Sequence, residues 1–141
     1  MRSDEMKHIF SLLFKAKNEK NSSFVADYLA DEIIWHECDQ NGEDLIVTWS
    51  KEKFLKGNFF GGGPFDTRTN TIIFQIAEND MLAAYFIIEG IHVNNFFGYS
   101  ATGKNVRFYA TYTVKFKNGL IAEIWAIADG LLALKQIGAI K

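Results

Sequence analysis

Asn118-Gly119 separates two long runs of strand-forming residues, and this hairpin signal limits the possible folds more than any other part of the sequence. Val106 to Lys117 and Leu120 to Ala128 are rich in β-branched and aromatic residues, and Asn-Gly favours a two-residue turn between antiparallel strands. Thr71 to Ala77 and Met81 to Val93 have the same character. We therefore expect these four runs to form one antiparallel sheet.

The first half of the chain has helical periodicity instead. Apolar residues recur at helical spacing from Asp4 to Lys17, which predicts an amphipathic helix. The other predicted elements are a short helix from Ser22 to about Ala30, a strand from Ile33 to Cys38, a segment from Leu45 to Trp49 that pairs back on it, a helix from Ser50 to about Phe60, and a last helix from Gly130 to Ile137. Helices followed by a long meander predict an α+β fold.

The length and composition indicate one domain with more apolar side chain than its core needs. The chain has 141 residues, of which 48% are hydrophobic, including 13 Phe. Division would leave two pieces too small to bury adequate cores, so we expect a single domain over residues 1–141. The surplus aromatic residues predict an apolar pocket or a subunit interface.

Charge and cysteine content argue against several classes of function. The formal net charge is -2 and the 15 basic residues are scattered, so we expect no nucleic-acid partner. Cys38 is the single cysteine, and the three histidines are too dispersed for a ligand cluster, so we expect no metal. The sequence predicts neither a signal peptide nor a membrane partner, which leaves a reducing, cytoplasmic location as the expectation.

The hairpin signal also predicts which side chains share a face. Counting from the turn pairs Lys117 with Leu120, Tyr112 with Trp125, and Phe108 with Asp129. An otherwise apolar face then carries one carboxylate, that of Asp129. A carboxylate among aromatic rings has the desolvation that a general acid/base needs. Alternatively, Asp129 caps the helix that begins at Gly130.

Two histidines are further candidates for the pocket. On the strand from Met81 to Val93, His92 ends a row of alternating apolar residues, so it lies at the pocket or is a core histidine bonded to a backbone carbonyl. His36 alternates with Ile34 and Cys38, and either reaches the pocket mouth or faces solvent.

The opposite face of the last strand is also apolar. It would present Leu120, Ala122, Ile124 and Ala126. Such a face would meet water in a monomer. We therefore expect a homodimer through the outer sheet face, with coverage by another part of the same chain as the alternative.

Several spaced motifs resemble one family. They are Glu89-Gly90-Ile91-His92, then Phe97-Gly98-Tyr99-Ser100-Ala101-Thr102-Gly103-Lys104, then Glu123-Ile124-Trp125 with Asp129, and Gln136-Ile137-Gly138. In order and spacing these stretches resemble the SnoaL-like polyketide cyclases. The resemblance implies the cone-shaped fold of the nuclear-transport-factor-two-like superfamily, with a curved antiparallel sheet packed on N-terminal helices around one apolar pocket.

The same resemblance implies a chemistry. Cyclases of this family close a ring by intramolecular aldol condensation without metal or cofactor, and their acid/base aspartate falls on Asp129. Their pocket histidine falls on His92. A Trp-His pair on the first strand is also typical of the family, and Trp35-His36 matches it.

These observations together predict a cofactor-free enzyme that performs acid/base chemistry on a small apolar carbonyl compound. Asp129 would move the proton and His92 would assist, while the substrate would contact His36, Trp125, Tyr112, Phe108 and Phe60. Aldol-type cyclisation is the first candidate, followed by isomerisation or hydrolysis. The alternative is a non-catalytic module that binds a small hydrophobic molecule or only dimerises, because fold alone does not determine function.

Overall fold

A computed structural model describes residues 1–38, 41–60 and 63–141. Its helices and strands are α1 (Ser3–Glu19), β1 (Leu29–Cys38), β2 (Asp44–Ser50), α2 (Lys51–Lys53), β3 (Phe65–Glu78), β4 (Met81–His92), β5 (Asn105–Lys117), β6 (Leu120–Ala128) and α3 (Gly130–Gln136). The α+β class is confirmed. Within the described ranges, no helix is long and apolar enough to cross a membrane.

The six strands form one curved sheet in the order β2-β1-β6-β5-β4-β3. The four strands from β3 to β6 are antiparallel, and β2 pairs back on β1, both as predicted. The sheet as a whole is mixed, because β1 and β6 are parallel. Parallel neighbours require a long connection, and here that connection includes four other strands.

The core lies between α1 and the inner face of the sheet. The predicted apolar stripe of α1 is buried, and Phe14 packs edge-to-face on Phe86 of β4 with ring centroids 4.6 Å apart. Along β4 the even-numbered residues from Leu82 to His92 are all buried, so the predicted inward row is confirmed. This row packs against the apolar stripe of α1, and together they form much of the hydrophobic core.

Two predicted helices are shorter than expected. The segment from Ser22 forms two 3-10 turns, Ser22–Phe24 and Ala26–Tyr28, since the Asn21 side chain caps the first turn and β1 already begins at Leu29. Ser50 does cap a helix, with its hydroxyl accepting a hydrogen bond from Lys53 N at 3.2 Å. That helix has a single α turn and continues as the π-helical segment Phe54–Asn58.

The observed register of the β5–β6 hairpin differs from the predicted register because β6 contains a β-bulge. Lys117 pairs with Leu120 as predicted, but Lys115 pairs with Glu123, so Ala122 is an extra residue on β6. Beyond it Tyr112 pairs with Ala126, and the pairings of Tyr112 with Trp125 and of Phe108 with Asp129 are wrong. The bulge turns Ile124 and Ala126 inward and Trp125 outward, which is the reverse of the predicted faces.

Candidate functional site

The interior contains two adjoining cavities that share part of their walls. The larger, about 420 Å³, is the apolar chamber, and the smaller, about 240 Å³, is the polar chamber. Both are lined by Pro64, Phe65, Ile88, Phe108 and Tyr112. Of the residues expected at the substrate, Phe108 and Tyr112 line both chambers and Phe60 lines the polar chamber.

Aromatic rings from neighbouring strands form the walls of the apolar chamber. Trp35 of β1 packs edge-to-face on Tyr112 of β5, with centroids 5.4 Å apart, and Phe65 lies 5.2 Å from Phe108. Burial, with a smaller contribution from the charge of Glu37, raises the pKa of Tyr112 well above its usual value. The Tyr112 phenol therefore stays protonated at neutral pH and can donate a hydrogen bond.

Glu37 is the one carboxylate among the described residues that line the apolar chamber. It follows Trp35 by two positions on β1, so both side chains lie on the inner face of the strand. Glu37 was not among the residues predicted for the site, whereas its neighbour His36 was. Period-two alternation from Trp35 was the signal that could have found it.

The polar chamber contains a lysine with no acidic partner among the described residues. Lys17 Nζ donates a hydrogen bond to the carbonyl of Phe59 at 2.6 Å and lies 4.0 Å from the centre of the Phe59 ring. Burial, reinforced by the neighbouring charge of Lys20, lowers the pKa of Lys17 to about 8. Lys20 itself is paired with Asp66 at 2.7 Å.

His92 is fully buried at the end of β4, beside Phe65, with ring centroids 5.7 Å apart. Its Nδ1 accepts hydrogen bonds from the backbone N–H of Thr102 at 3.1 Å and from the Thr102 hydroxyl at 3.0 Å. The hydrogen-bond network therefore assigns the proton to Nε2. Nε2 has no hydrogen-bond partner in the described part of the chain, so it is a buried donor without an acceptor.

Asp129 is exposed and caps α3, with its Oδ1 accepting a hydrogen bond from Leu132 N at 3.0 Å. This hydrogen bond confirms the alternative interpretation, in which Asp129 caps the last helix. Its predicted place on the apolar face is wrong, because the bulge shifts the register of β6. Ala128 and Gly130 on either side of it line the apolar chamber, so Asp129 lies at the chamber's rim.

Trp125 and His36 lie together on the outer face of the sheet, away from both chambers. Trp125 was expected in the pocket, and the bulge again explains why it is not there. His36 is neither at the pocket mouth nor in solvent: its Nε2 contacts Glu123 Oε2 at 2.5 Å and its Nδ1 contacts Asp44 Oδ2 at 3.1 Å. Burial alone would lower the pKa of His36, but these two carboxylates together raise it.

Within the described residues, no group of three or more histidine, cysteine, aspartate or glutamate side chains converges on a possible metal position. The polar side chains on the chamber walls include Glu37, Tyr112 and Lys17, and the interior also contains the buried Nε2 of His92.

Comparisons with known proteins agree with this architecture. Among solved structures, the chain is similar to AclR from Streptomyces galilaeus (19% identity, 98% of this chain and 87% of that chain covered, TM-score 0.73) and to TsrD from Streptomyces laurentii (18%, 99% and 99%, 0.72). It is also similar to an epoxide hydrolase of M. tuberculosis (11%, 96% and 90%, 0.69). No curated protein matches the sequence significantly. The SnoaL-like polyketide cyclase family matches residues 11–137, and the chain therefore belongs to that family.

Proposed function

We propose that this protein is a cofactor-free enzyme that moves a proton next to the carbonyl group of a small apolar compound held in the apolar chamber. Intramolecular aldol-type cyclisation is the leading reaction, with isomerisation or hydrolysis as the related alternatives. The observation that carries the proposal is the position of Glu37 and Tyr112 on the walls of one aromatic chamber. A base and a neutral hydrogen-bond donor are the two groups that enolate formation requires.

The chemistry follows from what each group can do. A carboxylate removes a proton from the carbon next to the carbonyl, and the electron pair moves to the carbonyl oxygen. The Tyr112 phenol stabilises that oxygen by a hydrogen bond, since a phenol is protonated at neutral pH and the raised pKa of Tyr112 keeps it so in alkaline solution as well. In a cyclisation the enolate carbon attacks a second carbonyl of the same molecule, and the new alkoxide takes the proton back. Aromatic walls exclude water and strengthen both interactions.

Two carboxylates are candidates for the base. Glu37 lines the apolar chamber and is also exposed to solvent, whereas Asp129 lies at the rim and is the residue that the family resemblance indicates. Asp129 keeps Oδ2 available while Oδ1 caps α3, so capping and catalysis are compatible. His92 would assist by donating Nε2–H to a substrate oxygen, for which the Phe65 side chain beside it has to move.

Exchange of α-protons in D2O tests the proposal without a known substrate. With 2-acetylnaphthalene as an apolar methyl ketone, the wild-type protein should accelerate methyl-proton exchange, followed by NMR. Glu37→Gln should slow it by roughly 10²–10⁴-fold if Glu37 is the base, and Asp129→Asn should do so if Asp129 is. Asn caps a helix about as well as Asp, so Asp129→Asn should fold normally. Glu32→Gln, an exposed change on the same strand, is the control.

The non-catalytic alternative gives a different result in the same experiment. A binding module would bind the ketone without accelerating its exchange. A merely dimerising module would do neither. The open volume of the apolar chamber favours a protein that holds a ligand over one with a vestigial cavity.

We further propose that the protein forms a homodimer through the outer sheet face. The residues at the centre of this interface differ from those that the sequence predicted. Ile124 is fully buried and Ala126 lines the apolar chamber, so neither can lie in the interface. The exposed apolar side chains on this face that line neither chamber include Ile46, Phe74 and Ile76. An exposed apolar patch of this kind is typical of an interaction surface.

A further inference from the structure

Lys17 is a cation that the proposed proton transfer does not use. Its ammonium group donates to a backbone carbonyl and lies over an aromatic ring, and both of these partners belong to Phe59. Neither partner carries a charge. Lys17 is half-buried, and an ammonium group that has lost much of its hydration is stabilised by a counterion or by several hydrogen bonds. The described part of the fold provides no anion for the Lys17 ammonium group. This group can therefore bind an anion that a ligand supplies.

The charges around Lys17 indicate what kind of anion would fit. The charged residues that line the polar chamber are Lys17, Lys20 and Asp66, which leave one net positive charge. Lys20 is already paired with Asp66, and Asp66 also accepts from Arg68 at 3.2 Å. One unpaired ammonium group matches a monoanion such as a carboxylate, whereas a phosphate dianion would require at least one more free cation.

The two chambers adjoin, so one ligand can occupy both. Phe65, Phe108 and Tyr112 line the polar and the apolar chamber alike. A ligand with a charged head at Lys17 would therefore place its apolar body between Phe108 and Tyr112 and extend towards Glu37. Such a ligand has its anionic group at the end opposite to the proposed site of proton transfer.

We propose that the natural ligand is an amphipathic carboxylic acid whose carboxylate binds the Lys17 ammonium and whose apolar part fills the apolar chamber. This inference rests on the proposed ligand cavity but not on its catalytic step. It narrows the substrate class from an apolar carbonyl compound to an apolar carbonyl compound that also carries a carboxylate. Lys17 is then a binding residue that fixes the orientation of the substrate.

The test compares two ligands of the same shape. Isothermal titration calorimetry would measure the affinity of 2-naphthoate and of the neutral ketone 2-acetylnaphthalene for the wild-type protein, Lys17→Met and Lys17→Gln. We expect the wild type to bind naphthoate at least about tenfold more tightly than the ketone, since a charge-assisted hydrogen bond contributes that much or more. Both substitutions should weaken naphthoate binding by about 10- to 100-fold and leave the ketone within about twofold.

Lys15→Met is the matched control. Lys15 also lies on α1 and also contacts an aromatic ring, that of Phe24 at 4.7 Å, but it lines neither chamber. Its replacement should leave both affinities unchanged. A loss of naphthoate binding in Lys15→Met equal to that in Lys17→Met would mean that general surface charge is responsible, and would overturn the inference.

Other results separate this inference from the proposed function. Equal wild-type affinity for the two probes, or naphthoate binding that survives both Lys17 substitutions, would overturn the carboxylate site and leave the apolar chamber intact. Binding of neither probe would overturn both. A covalent adduct of the ketone with Lys17, trapped by borohydride and located by mass spectrometry, would show an amine nucleophile instead of a counterion and would also overturn the inference.

Discussion

The imidazole of His36 stacks on the indole of Trp125, with ring centroids 4.8 Å apart and ring planes within 12° of parallel. The stack covers one face of the histidine, while Glu123 and Asp44 occupy its two nitrogens. A ring that contacts a carboxylate through each nitrogen is complementary to the imidazolium form, in which both nitrogens donate. We therefore expect His36 to carry a positive charge at neutral pH.

The titration of His36 can be followed by NMR. Burial opposes protonation, but the hydrogen bonds to Glu123 and Asp44 outweigh it and raise the pKa above the usual 6.5. Glu123→Gln removes one of the two charges and should lower the pKa of His36. The signals of the exposed His8 should be the same in both proteins. An unchanged His36 titration in Glu123→Gln would contradict this account.

The raised pKa of His36 also fixes the sign of a stability effect. The folded protein binds the proton more tightly than the unfolded chain, so the stabilisation is full below about pH 6.5. It is lost as the pH rises through the folded-state pKa. The difference in free energy of unfolding between wild type and Glu123→Gln should therefore shrink from pH 6 to pH 9, as measured by urea denaturation.

Lys17 should give a pH dependence of the opposite sign in the ligand-free protein. Burial lowers its pKa to about 8 from the usual 10.5, so between these two pH values the unfolded chain binds more protons than the folded one. The wild type should therefore gain stability from pH 8 to pH 10.5 relative to Lys17→Met, by roughly 1–3 kcal/mol. Urea denaturation at the two pH values measures the difference, and a constant offset between the proteins would contradict it.

The fold followed from local patterns in the sequence, and the errors at the site have one physical cause. Alternation on β4 and the turn at Asn118 depend on neighbouring residues, and both predictions are confirmed. The placement of Trp125 and Asp129 required the alternation to continue without interruption from the turn. A single bulge residue at Ala122 breaks it, and neither side of that position carries a glycine or proline that would mark it.

The environment of Lys17 could not be predicted for a different reason. Its partner Phe59 lies 42 positions away on a segment whose path depends on the packing of the whole interior. The parallel pairing of β1 with β6 is likewise a long-range feature without a local signal. Sequence periodicity specifies which face of an element is apolar, but not which distant element covers that face.

Gly90 should be intolerant of any side chain. A Cβ atom at this position would lie 2.3 Å from the backbone oxygen of Asp66 and 2.9 Å from the Cα of Thr67, where β3 bulges against β4. Gly90→Ala must displace backbone and should destabilise the protein by about 1–3 kcal/mol. Gly57→Ala, whose Cβ would meet open space, is the control. Equal thermal midpoints for the two variants would contradict this prediction.

The outer sheet face should be sensitive to charge if it forms the homodimer. Ile76 is 64% exposed and lines neither chamber, so Ile76→Glu should be harmless in a monomer but should place an unpaired charge in an interface. We expect the variant to sediment as a monomer at micromolar concentration. Leu131→Glu changes a residue that is 61% exposed on α3, away from the sheet face, and should not alter the sedimentation. A wild-type protein that sediments as a monomer would contradict the proposed homodimer.

The bulge at Ala122 makes the length of β6 adjustable at one point only. Removal of Ala122 would leave Phe116 opposite Ile121 and Lys115 opposite Glu123 in a regular ladder, so every later side chain would keep its face. Removal of one residue between Glu123 and Ala128 would instead invert the faces beyond the gap and misplace the start of α3. Of these two deletions, we expect only the first to yield a folded protein. Ala122 is thus a spacer, and the chain can lose this residue without changing which side chains its interior presents.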